Sequence, residues 1–488
     1  MEKCENPLKE SVKESGKLRQ FLATIIINQL ALSYGIVIGW PSPSAQLLQS
    51  PSSPVGNPMT DNGISWLTAT LCLSGTITAV LTSVIPDKFS RKRLGYILVV
   101  PIIIAWMLIM FATEHMYIYV SRALSGINGA ATFFIVPNYV SEISCDSIRG
   151  MLASIVILSV NCGILVAYIL GGIMSFRALP VVIIALILFY LITFVFIPES
   201  PFYLVRRNRT HEAIRALKWL KAGNSLEAER TLSHIQLQIK ETASVKSAKF
   251  SDLIRDKATI KGFIIVMGLF IGQQLCGIFA MISNTEMIFK MSGSSLSPNM
   301  SSIIVAVIQI FGSWLATLLV ERAGRRPLIL LSCAGMCVCH CMIGVFYYLQ
   351  NLQYEVSAYS WIPVVALSAY MILFALGMGN GPIVVMSEIF SRDITSLASA
   401  ISISVSWASA FVMTKTFTDI INLLGVHGCF FLLAAFCVCN FLFCFMLLPE
   451  TKGRLREDIV DELNGVRCTN KNEIKHIIGS NSVHAAHV

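Results

Sequence analysis

Twelve apolar runs, each long enough to cross a lipid bilayer, constrain this chain more than any other feature of its sequence. A bilayer-spanning helix needs about 20 residues. Of the 488 residues only 13% are charged and 55% are hydrophobic, whereas soluble domains carry about 25% charge. We therefore predict an all-α integral membrane protein. The runs predict transmembrane helices at 20–40, 64–85, 94–113, 117–140, 151–175, 179–197, 261–288, 302–320, 327–349, 360–387, 397–420 and 428–448.

The lysines and arginines predict the orientation of these spans. Of the 37, 33 precede the first span, follow the last, or lie in loops on that same side of the bilayer. Because basic residues accumulate in cytoplasmic loops, both termini are predicted to be cytoplasmic, in a multi-pass protein of the plasma membrane. The formal net charge of +9 therefore comes from basic residues in loops that orient the chain in its lipid bilayer. It does not indicate a nucleic-acid partner.

The longest polar stretch divides the chain into two halves. It lies between the sixth and seventh spans and contains helix-like segments at 211–220 and 227–240, which we expect to form a small cytoplasmic helical layer. The predicted organisation is a cytoplasmic tail (1–19), an N-terminal six-helix bundle (20–198), a cytoplasmic helical linker (199–259), a C-terminal six-helix bundle (260–448) and a second cytoplasmic tail (449–488).

Three short motifs occur once in each half. An acidic and basic loop follows the second and eighth spans, at 87–92 and 321–326. A proline and a glutamate end the fourth and tenth spans, and a Pro-Glu pair follows the sixth and twelfth, at 198–199 and 449–450. The order is the same in both halves, which predicts two six-helix repeats in the same orientation. Repeats of this kind place a solute site near the bilayer midplane at their interface.

The charged residues around these motifs are candidates for a cytoplasmic gate. Acidic and basic side chains at helix ends can pair when the halves close on the cytoplasmic side, and they must separate when the halves open. One exposed pair contributes about 0–1 kcal/mol, but a network would bias the inward–outward equilibrium. A purely topological role as positive-inside anchors is the alternative. The candidates are Asp87, Arg91, Glu142, Arg149, Glu199, Glu321, Arg325, Arg326, Glu388 and Glu450.

Two adjacent amides, Gln273 and Gln274, lie near the end of the uncharged run at 262–277. An amide inside an apolar segment is costly unless it finds a hydrogen-bonding partner. In membrane proteins such side chains often mark a substrate path. The alternative is that both glutamines bond to neighbouring helices.

Together these residues resemble the sugar-porter branch of the major facilitator superfamily. The resemblance runs from about residue 20 to 458, and within the branch the first span is most similar to insect facilitated trehalose transporters. It implies the major facilitator fold and alternating access for a disaccharide or a hexose. The residues that carry it are Arg122-xxx-Gly126, Pro137-x-Tyr139-xx-Glu142, Arg149-Gly150, Pro198-Glu199-Ser200-Pro201, Gln273-Gln274-Leu275-x-Gly277, 321–326, 449–454 and, for the insect proteins, Gly39-Trp40-Pro41-Ser42-Pro43.

The resemblance also implies which side chains bind the sugar. Gln273 and Gln274 match the paired glutamines of the seventh span, and Gln309 lies where many relatives have an asparagine. Phe374 and Trp407 match aromatic positions of the tenth and eleventh spans. Amides bond to sugar hydroxyls, and an aromatic ring packs against the apolar face of a sugar.

The pocket departs from the family pattern, and nearby polar residues are candidates to compensate. Ile157 and Phe279 stand where glucose transporters have glutamine and asparagine, and 379–383 lacks a proline and a tryptophan of the usual motif. Asn161 is one turn from Ile157, and Ser406 lies on a face of the eleventh span that it shares with two more serines, Ser402 and Ser409. Packing between helices is the alternative role for these polar residues.

Acidic residues indicate whether transport is coupled to protons. Proton-coupled relatives carry a carboxylate in the first span, whereas this chain has no Asp or Glu between residues 17 and 41. A proton relay needs a titratable group in the path. Since Arg122 also lacks an acidic partner in that span, we expect facilitated diffusion.

The leading hypothesis is therefore a monomeric facilitative sugar transporter without a cofactor. A polyol or other organic-solute carrier, or a sugar sensor that does not transport, remains the alternative. The sequence contains no nucleophile–base constellation of the kind that would indicate an enzyme.

Asn299, in Asn299-Met-Ser301, is a candidate for glycosylation. Side chains of successive residues in a helix point about 100° apart, so the cysteines and histidine at 337–341 cannot converge on one ion. No metal site is expected there.

Overall fold

The computed structural model describes residues 15–84, 89–243, 256–294, 296–390, 392–454 and 456–464, and within these ranges the chain forms helices and no strand. In the first half the helices are Lys17–Ile27, Gln29–Gly39, Pro41–Gln49, Asp61–Val84, Arg91–Ile97, Val99–Met110, His115–Ile143, Arg149–Ile173, Ala178–Phe194, Pro201–Arg206, Thr210–Leu220 and Ser225–Ala243. In the second half they are Lys257–Leu275, Ile278–Ser283, Thr285–Met291, Pro298–Ala323, Arg325–Asn351, Ser357–Tyr359, Ile362–Phe374, Ala375–Gly379, Gly381–Ile389, Arg392–Leu447 and Arg456–Asn464.

In the described part of the chain, nine helices are both long enough and apolar enough to cross a membrane. One of them, Leu397–Leu447, comprises two helices that meet at the non-helical backbone of Gly425. Two further helices coincide with predicted spans: Ala178–Phe194 is apolar but shorter, and His115–Ile143 is long but more polar. The described chain therefore has a helix at each predicted span. Twelve membrane crossings remain a prediction.

Several spans are interrupted where the local sequence opposes a continuous helix. The first span is divided at Trp40, and Pro41 begins its last helix at a position where the missing N–H costs no hydrogen bond. The seventh span breaks after Leu275, and Gly277 adopts φ +88°, a conformation that glycine reaches without steric cost. The tenth span contains a π-helical segment, Ala375–Gly379. Such segments leave backbone carbonyls for other donors.

Small residues bring the first and fifth spans into close contact. A Cβ atom at Gly35 would lie 2.0 Å from the Val160 carbonyl oxygen, and one at Gly163 would lie 2.1 Å from the Leu32 carbonyl oxygen. Membrane helices associate through such small residues because apolar surface alone gives little driving force between helices in lipid. Larger side chains at either position would separate the two backbones.

By packing, the chain divides into two compact units. The first contains the described residues of 1–245 and 279–310, and the second those of 246–278 and 311–488. Within the first unit, Thr285–Met291 of the seventh span packs against Pro41–Gln49 of the first. The boundaries between the two units therefore fall inside the seventh span, at 278/279, and inside the eighth span, at 310/311. The predicted division into bundles at 20–198 and 260–448 remains a prediction.

The predicted helical layer is present as Pro201–Arg206, Thr210–Leu220 and Ser225–Ala243. Its small core is formed by aliphatic side chains from all three helices, among them Leu204, Leu217 and Ile235. The pattern predicted helices at 211–220 and 227–240, and both are confirmed with slightly wider bounds. The layer packs as part of the first unit.

Candidate functional site

Gln273 connects the two interrupted spans of the second unit. Its Nε2 donates to the carbonyl oxygens of Met378 at 2.6 Å and Gly379 at 2.9 Å. Both carbonyls belong to the π-helical segment Ala375–Gly379. The amide of Gln273 therefore stabilises an irregular backbone inside the protein, as the helix-bonding alternative predicted for this residue.

Gln274 has a different environment from its neighbour. Its Nε2 donates to Ser406 Oγ at 2.8 Å and lies 3.3 Å from Gln273 Oε1. Its Oε1 is buried and has no hydrogen-bond partner among the described residues. An unsatisfied buried acceptor costs about 1–3 kcal/mol, and a hydroxyl donor reaching this oxygen would remove that cost. The structure thus brings together three predicted residues, Gln273, Gln274 and Ser406.

The other serine and aromatic candidates of the second unit are buried or half-buried. Ser402 Oγ is 3.6 Å from Met267 Sδ, and Ser409 is half-buried. Trp407 is buried at 6% exposure. Phe374 stacks on Tyr370 with ring centroids 6.3 Å apart.

In the first unit the structure joins Asn161 and Gln309, two residues that were predicted separately. Gln309 Nε2 donates to Asn161 Oδ1 at 3.0 Å, which links the eighth span to the fifth. Both side chains are buried. The sequence indicated each residue but not the pair, because the two are 148 positions apart.

The predicted gate residues of the first unit form one ion pair and one carboxylate site. Arg91 Nη2 pairs with Glu142 Oε1 at 3.2 Å. Glu199 accepts the main-chain N–H groups of Lys92 at 3.2 Å and Ser200 at 3.0 Å. Arg149 instead pairs with its near neighbour Asp146 at 2.7 Å on an exposed surface, apart from the other candidates. Asp87 lies outside the described residues.

The second unit repeats this arrangement. Arg325 Nη2 pairs with Glu388 Oε1 at 2.9 Å. Glu450 accepts the main-chain N–H groups of Arg325 at 3.0 Å and Arg326 at 3.2 Å, at the start of the helix Arg325–Asn351. The Arg326 side chain donates to the Phe445 carbonyl oxygen at 2.7 Å. The side chain of Glu321 lies outside what the structure describes.

The two glutamates that follow the sixth and twelfth spans, Glu199 and Glu450, therefore have equivalent roles. Each carboxylate accepts main-chain N–H at the start of a neighbouring helix, from Lys92 for Glu199 and from Arg325 and Arg326 for Glu450. The helix dipole favours negative charge at this position. Burial alone would raise the pKa of Glu450, but the N–H groups of Lys452, Arg325 and Arg326 hold that pKa below its ordinary value. Sequence reasoning identified both glutamates but paired them with arginine side chains, whereas their main partners are backbone amides.

Residues that sequence reasoning missed complete these networks. In the first unit the Ser90 hydroxyl donates to the carboxylate of Glu199. The Tyr139 hydroxyl donates to the Pro198 carbonyl oxygen. In the second unit the Thr451 hydroxyl donates to the carboxylate of Glu388. Ser90 and Thr451 stand within the motifs that defined the repeat. Their hydroxyls gave no charge signal, so a search for acid–base pairs passed over them.

Asn299, the candidate for glycosylation, has its reactive nitrogen engaged. Nδ2 donates to Glu286 Oε1 at 2.8 Å and to the Tyr168 carbonyl oxygen at 2.9 Å. The Tyr168 hydroxyl in turn donates to the Ile282 carbonyl oxygen at 2.7 Å. Glycosylation would have to precede this folded arrangement or disrupt it, and it remains a prediction.

The cysteine-rich segment of the ninth span does not converge on one point. In the described residues no group of three His, Cys, Asp or Glu side chains is arranged to hold a metal ion. His340 Nε2 instead bonds to the Cys276 carbonyl oxygen at 3.1 Å.

Long apolar helices, two repeated carboxylate sites and buried amides within the spans are the features of a multi-pass helical membrane protein that carries a solute. Comparison with known proteins agrees. Residues 17–462 match the family described as "Sugar (and other) transporter", and the chain belongs to this family.

Curated relatives include facilitated trehalose transporters named Tret1. The chain is 33% identical to that of Culex quinquefasciatus over 409 residues, which covers 83% of this chain and 78% of the relative. It is 28% identical to that of Bombyx mori over 453 residues, covering 93% and 88%. The Aedes aegypti protein is 33% identical over 451 residues, and the match spans only 56% of that longer relative.

Among solved structures, the inward-open xylose transporter XylE from E. coli superposes with a TM-score of 0.75 over 90% of this chain and 99% of XylE, at 20% sequence identity. A partially occluded inward-open form of XylE gives 0.72 over 88% of this chain. At this identity the likeness establishes the fold. The chain therefore has the all-α fold of the major facilitator sugar porters, as the sequence predicted.

Proposed function

We propose that this protein is a facilitative transporter that carries a disaccharide such as trehalose, or a hexose, down its gradient across the plasma membrane by alternating access. The family and the named function of the insect relatives support the substrate class. The observation that carries the proposal is the Gln274 side chain: its Nε2 donates to Ser406 Oγ, while its buried Oε1 has no hydrogen-bond partner among the described residues. A sugar hydroxyl is the donor that this acceptor lacks.

The amide pair of the first unit supports the same proposal. Asn161 and Gln309 provide both donors and acceptors, which suits a solute covered in hydroxyl groups. In the first unit Asn161 and Gln309 are our candidates for binding the sugar. In the second unit the candidate is Gln274, and Gln273 has a supporting role, since its donor is used by the tenth span. Trp407 and Phe374 remain candidates for packing against the apolar face of the sugar.

Passive transport is favoured by the surroundings of Arg122. Its guanidinium donates to the carbonyl oxygens of Val37 at 2.7 Å and Leu67 at 3.0 Å and lies over the Trp40 ring at 5.9 Å. Backbone carbonyls thus provide the hydrogen bonds that a carboxylate would give in a proton-coupled site. We therefore expect no proton to move with the sugar.

The charged networks complete the proposal. With both termini cytoplasmic, as the positive-inside distribution indicates, Arg91–Glu142 and Arg325–Glu388 stabilise the cytoplasmic ends of the spans and bias the transport cycle. A monomer in the lipid bilayer suffices for this mechanism. The transporter family gives no reason to expect an enzyme.

Uptake of labelled trehalose, glucose, fructose and sorbitol into cells that lack their own transporters tests the proposal. We expect saturable uptake of at least one sugar that a protonophore leaves unchanged. Gln274→Ala and Gln309→Ala should lower Vmax/KM at least about tenfold at equal surface expression. Gln236→Ala, which alters an exposed glutamine of the helical layer, should behave as wild type. Normal uptake by both site variants would contradict the assigned site.

A further inference from the structure

The break in the seventh span leaves one backbone carbonyl, just after the glutamine pair, without its partner in the helix. The helix Lys257–Leu275 ends one residue after Gln274, and the next helix begins at Ile278. Gly277, with φ +88°, makes the turn between them. A carbonyl at a helix break loses the amide that would lie four residues further on. In an apolar interior this oxygen needs another donor.

Two side chains from other spans provide donors to the Cys276 carbonyl oxygen. His340 Nε2 of the ninth span lies 3.1 Å away, and the Tyr370 hydroxyl of the tenth span lies 3.0 Å away. A carbonyl oxygen accepts two hydrogen bonds, so the pair saturates it. All three residues belong to the second unit.

The geometry determines the state of His340. A carbonyl only accepts, so the hydrogen must be on Nε2. Nδ1 is buried and has no partner in the described chain, which fits the lone pair of a neutral ring. The ring is 0% exposed and lies 4.8 Å from the Tyr370 ring and 5.9 Å from the Phe430 ring. His340 therefore cannot reach a solute, and its polar function is this one donation.

The break also anchors the glutamines. Cys276 N–H bonds to the Gly272 carbonyl oxygen at 3.1 Å, and Cys276 Sγ lies 2.8 Å from the Gln273 carbonyl oxygen. The orientation of the Cys276 peptide is thus coupled to the last turn of the helix, from which Gln273 and Gln274 project.

We infer that His340 and Tyr370 are positioning residues for transport: by holding the Cys276 carbonyl they keep the seventh span broken at a defined angle and direct Gln274 toward the sugar. Neither residue touches the solute. This inference rests on the proposed function, because its transport test needs a carried sugar.

Kinetics of sugar uptake test the inference. Tyr370→Phe removes only the hydroxyl, and His340→Leu removes the ring donor. Each should raise KM by about 2- to 12-fold, the equivalent of one hydrogen bond, with surface expression near wild type and a smaller change in Vmax. His340→Gln, whose amide places an N–H near the position of Nε2, should restore most of the affinity. Tyr190→Phe is the matched control, since its hydroxyl is buried without a partner in the described residues.

Hydrogen exchange of the purified protein separates this inference from the proposed function. Amides at 277–283 should exchange faster in Tyr370→Phe and His340→Leu than in wild type and Tyr190→Phe. If wild type carries no sugar offered, the proposed function fails, and exchange alone decides the inference. Unchanged KM in a transporting protein, or unchanged exchange at 277–283, would overturn the positioning role. A KM increase that His340→Gln does not reverse would also count against it.

Discussion

Replacing Glu450 with glutamine isolates what one carboxylate contributes at the start of a membrane helix. Glu450 accepts three main-chain N–H groups, from Arg325 at 3.0 Å, Arg326 at 3.2 Å and Lys452 at 2.9 Å. The first two amides begin the ninth span, Arg325–Asn351, and have no partner within their own helix. Glutamine keeps one acceptor oxygen but loses the second acceptor and the charge.

The expected loss follows from these contacts. Removing a side-chain cap at a helix N-terminus costs about 0.5–2 kcal/mol, and the favourable charge–dipole term is about 0.3–1 kcal/mol at a partly exposed site. We expect Glu450→Gln to destabilise the protein by about 1–2 kcal/mol. In a cooperative unit of about 200 residues, each kcal/mol lowers the unfolding midpoint by about 2–4 °C.

The effect should depend on pH in a defined direction. The pKa of folded Glu450 lies below its ordinary value, so the carboxylate contributes its full stabilisation above the unfolded pKa of about 4.3. As the pH falls through the folded pKa, this contribution is lost. The difference in midpoint between wild type and Glu450→Gln should therefore be constant near neutral pH and narrow progressively as the pH falls below about 4.3.

Thermal unfolding of the purified protein in detergent, at several pH values, measures both effects. Glu355→Gln, at an exposed residue of the 352–356 loop, is the matched control and should not change the midpoint. If Glu450→Gln also leaves the midpoint unchanged at neutral pH, the carboxylate does not stabilise the helix start. A difference that does not narrow at all as the pH falls below about 4 would refute the linkage argument.

Three further predictions concern other parts of the molecule. Lys221→Met should destabilise the helical layer by about 2–4 kcal/mol because it leaves the largely buried Glu227 without its ion partner at 2.5 Å. Adding Glu227→Gln should recover most of this loss, as measured by limited proteolysis, and failure to recover would contradict the pair. N-glycosidase treatment should increase the electrophoretic mobility of protein from a eukaryotic host, because glycosylation of Asn299 would precede the folding that bonds its Nδ2 to Glu286; unchanged mobility would contradict the predicted glycosylation. Arg122→Gln should lower the unfolding midpoint by the equivalent of about 1–3 kcal/mol, because the Val37 and Leu67 carbonyls lose a charged donor; an unchanged midpoint would contradict this.

The sequence was sufficient for the features that depend on local composition. Helix positions followed from runs of apolar residues, since burying backbone polar groups in lipid requires helices of a set length. The two halves followed from motifs that recur after equivalent spans, and Glu199 and Glu450 then proved equivalent in the structure. The helical layer at 201–243 followed from its polar composition and helical periodicity.

Tertiary structure alone decided which polar atoms pair. Gln273 and Gln274 are adjacent and alike in sequence, yet Gln273 donates to the π-helical segment of the tenth span, whereas Gln274 has a buried acceptor that meets no donor in the described part of the chain. The partners of His340 and Gln309 are 64 and 148 residues away. Periodicity gives the face of a helix on which a side chain lies, but not the neighbouring helix or its local breaks. Hydrogen bonds depend on distances of a few tenths of an ångström between distant segments, and only the packed helices determine those distances.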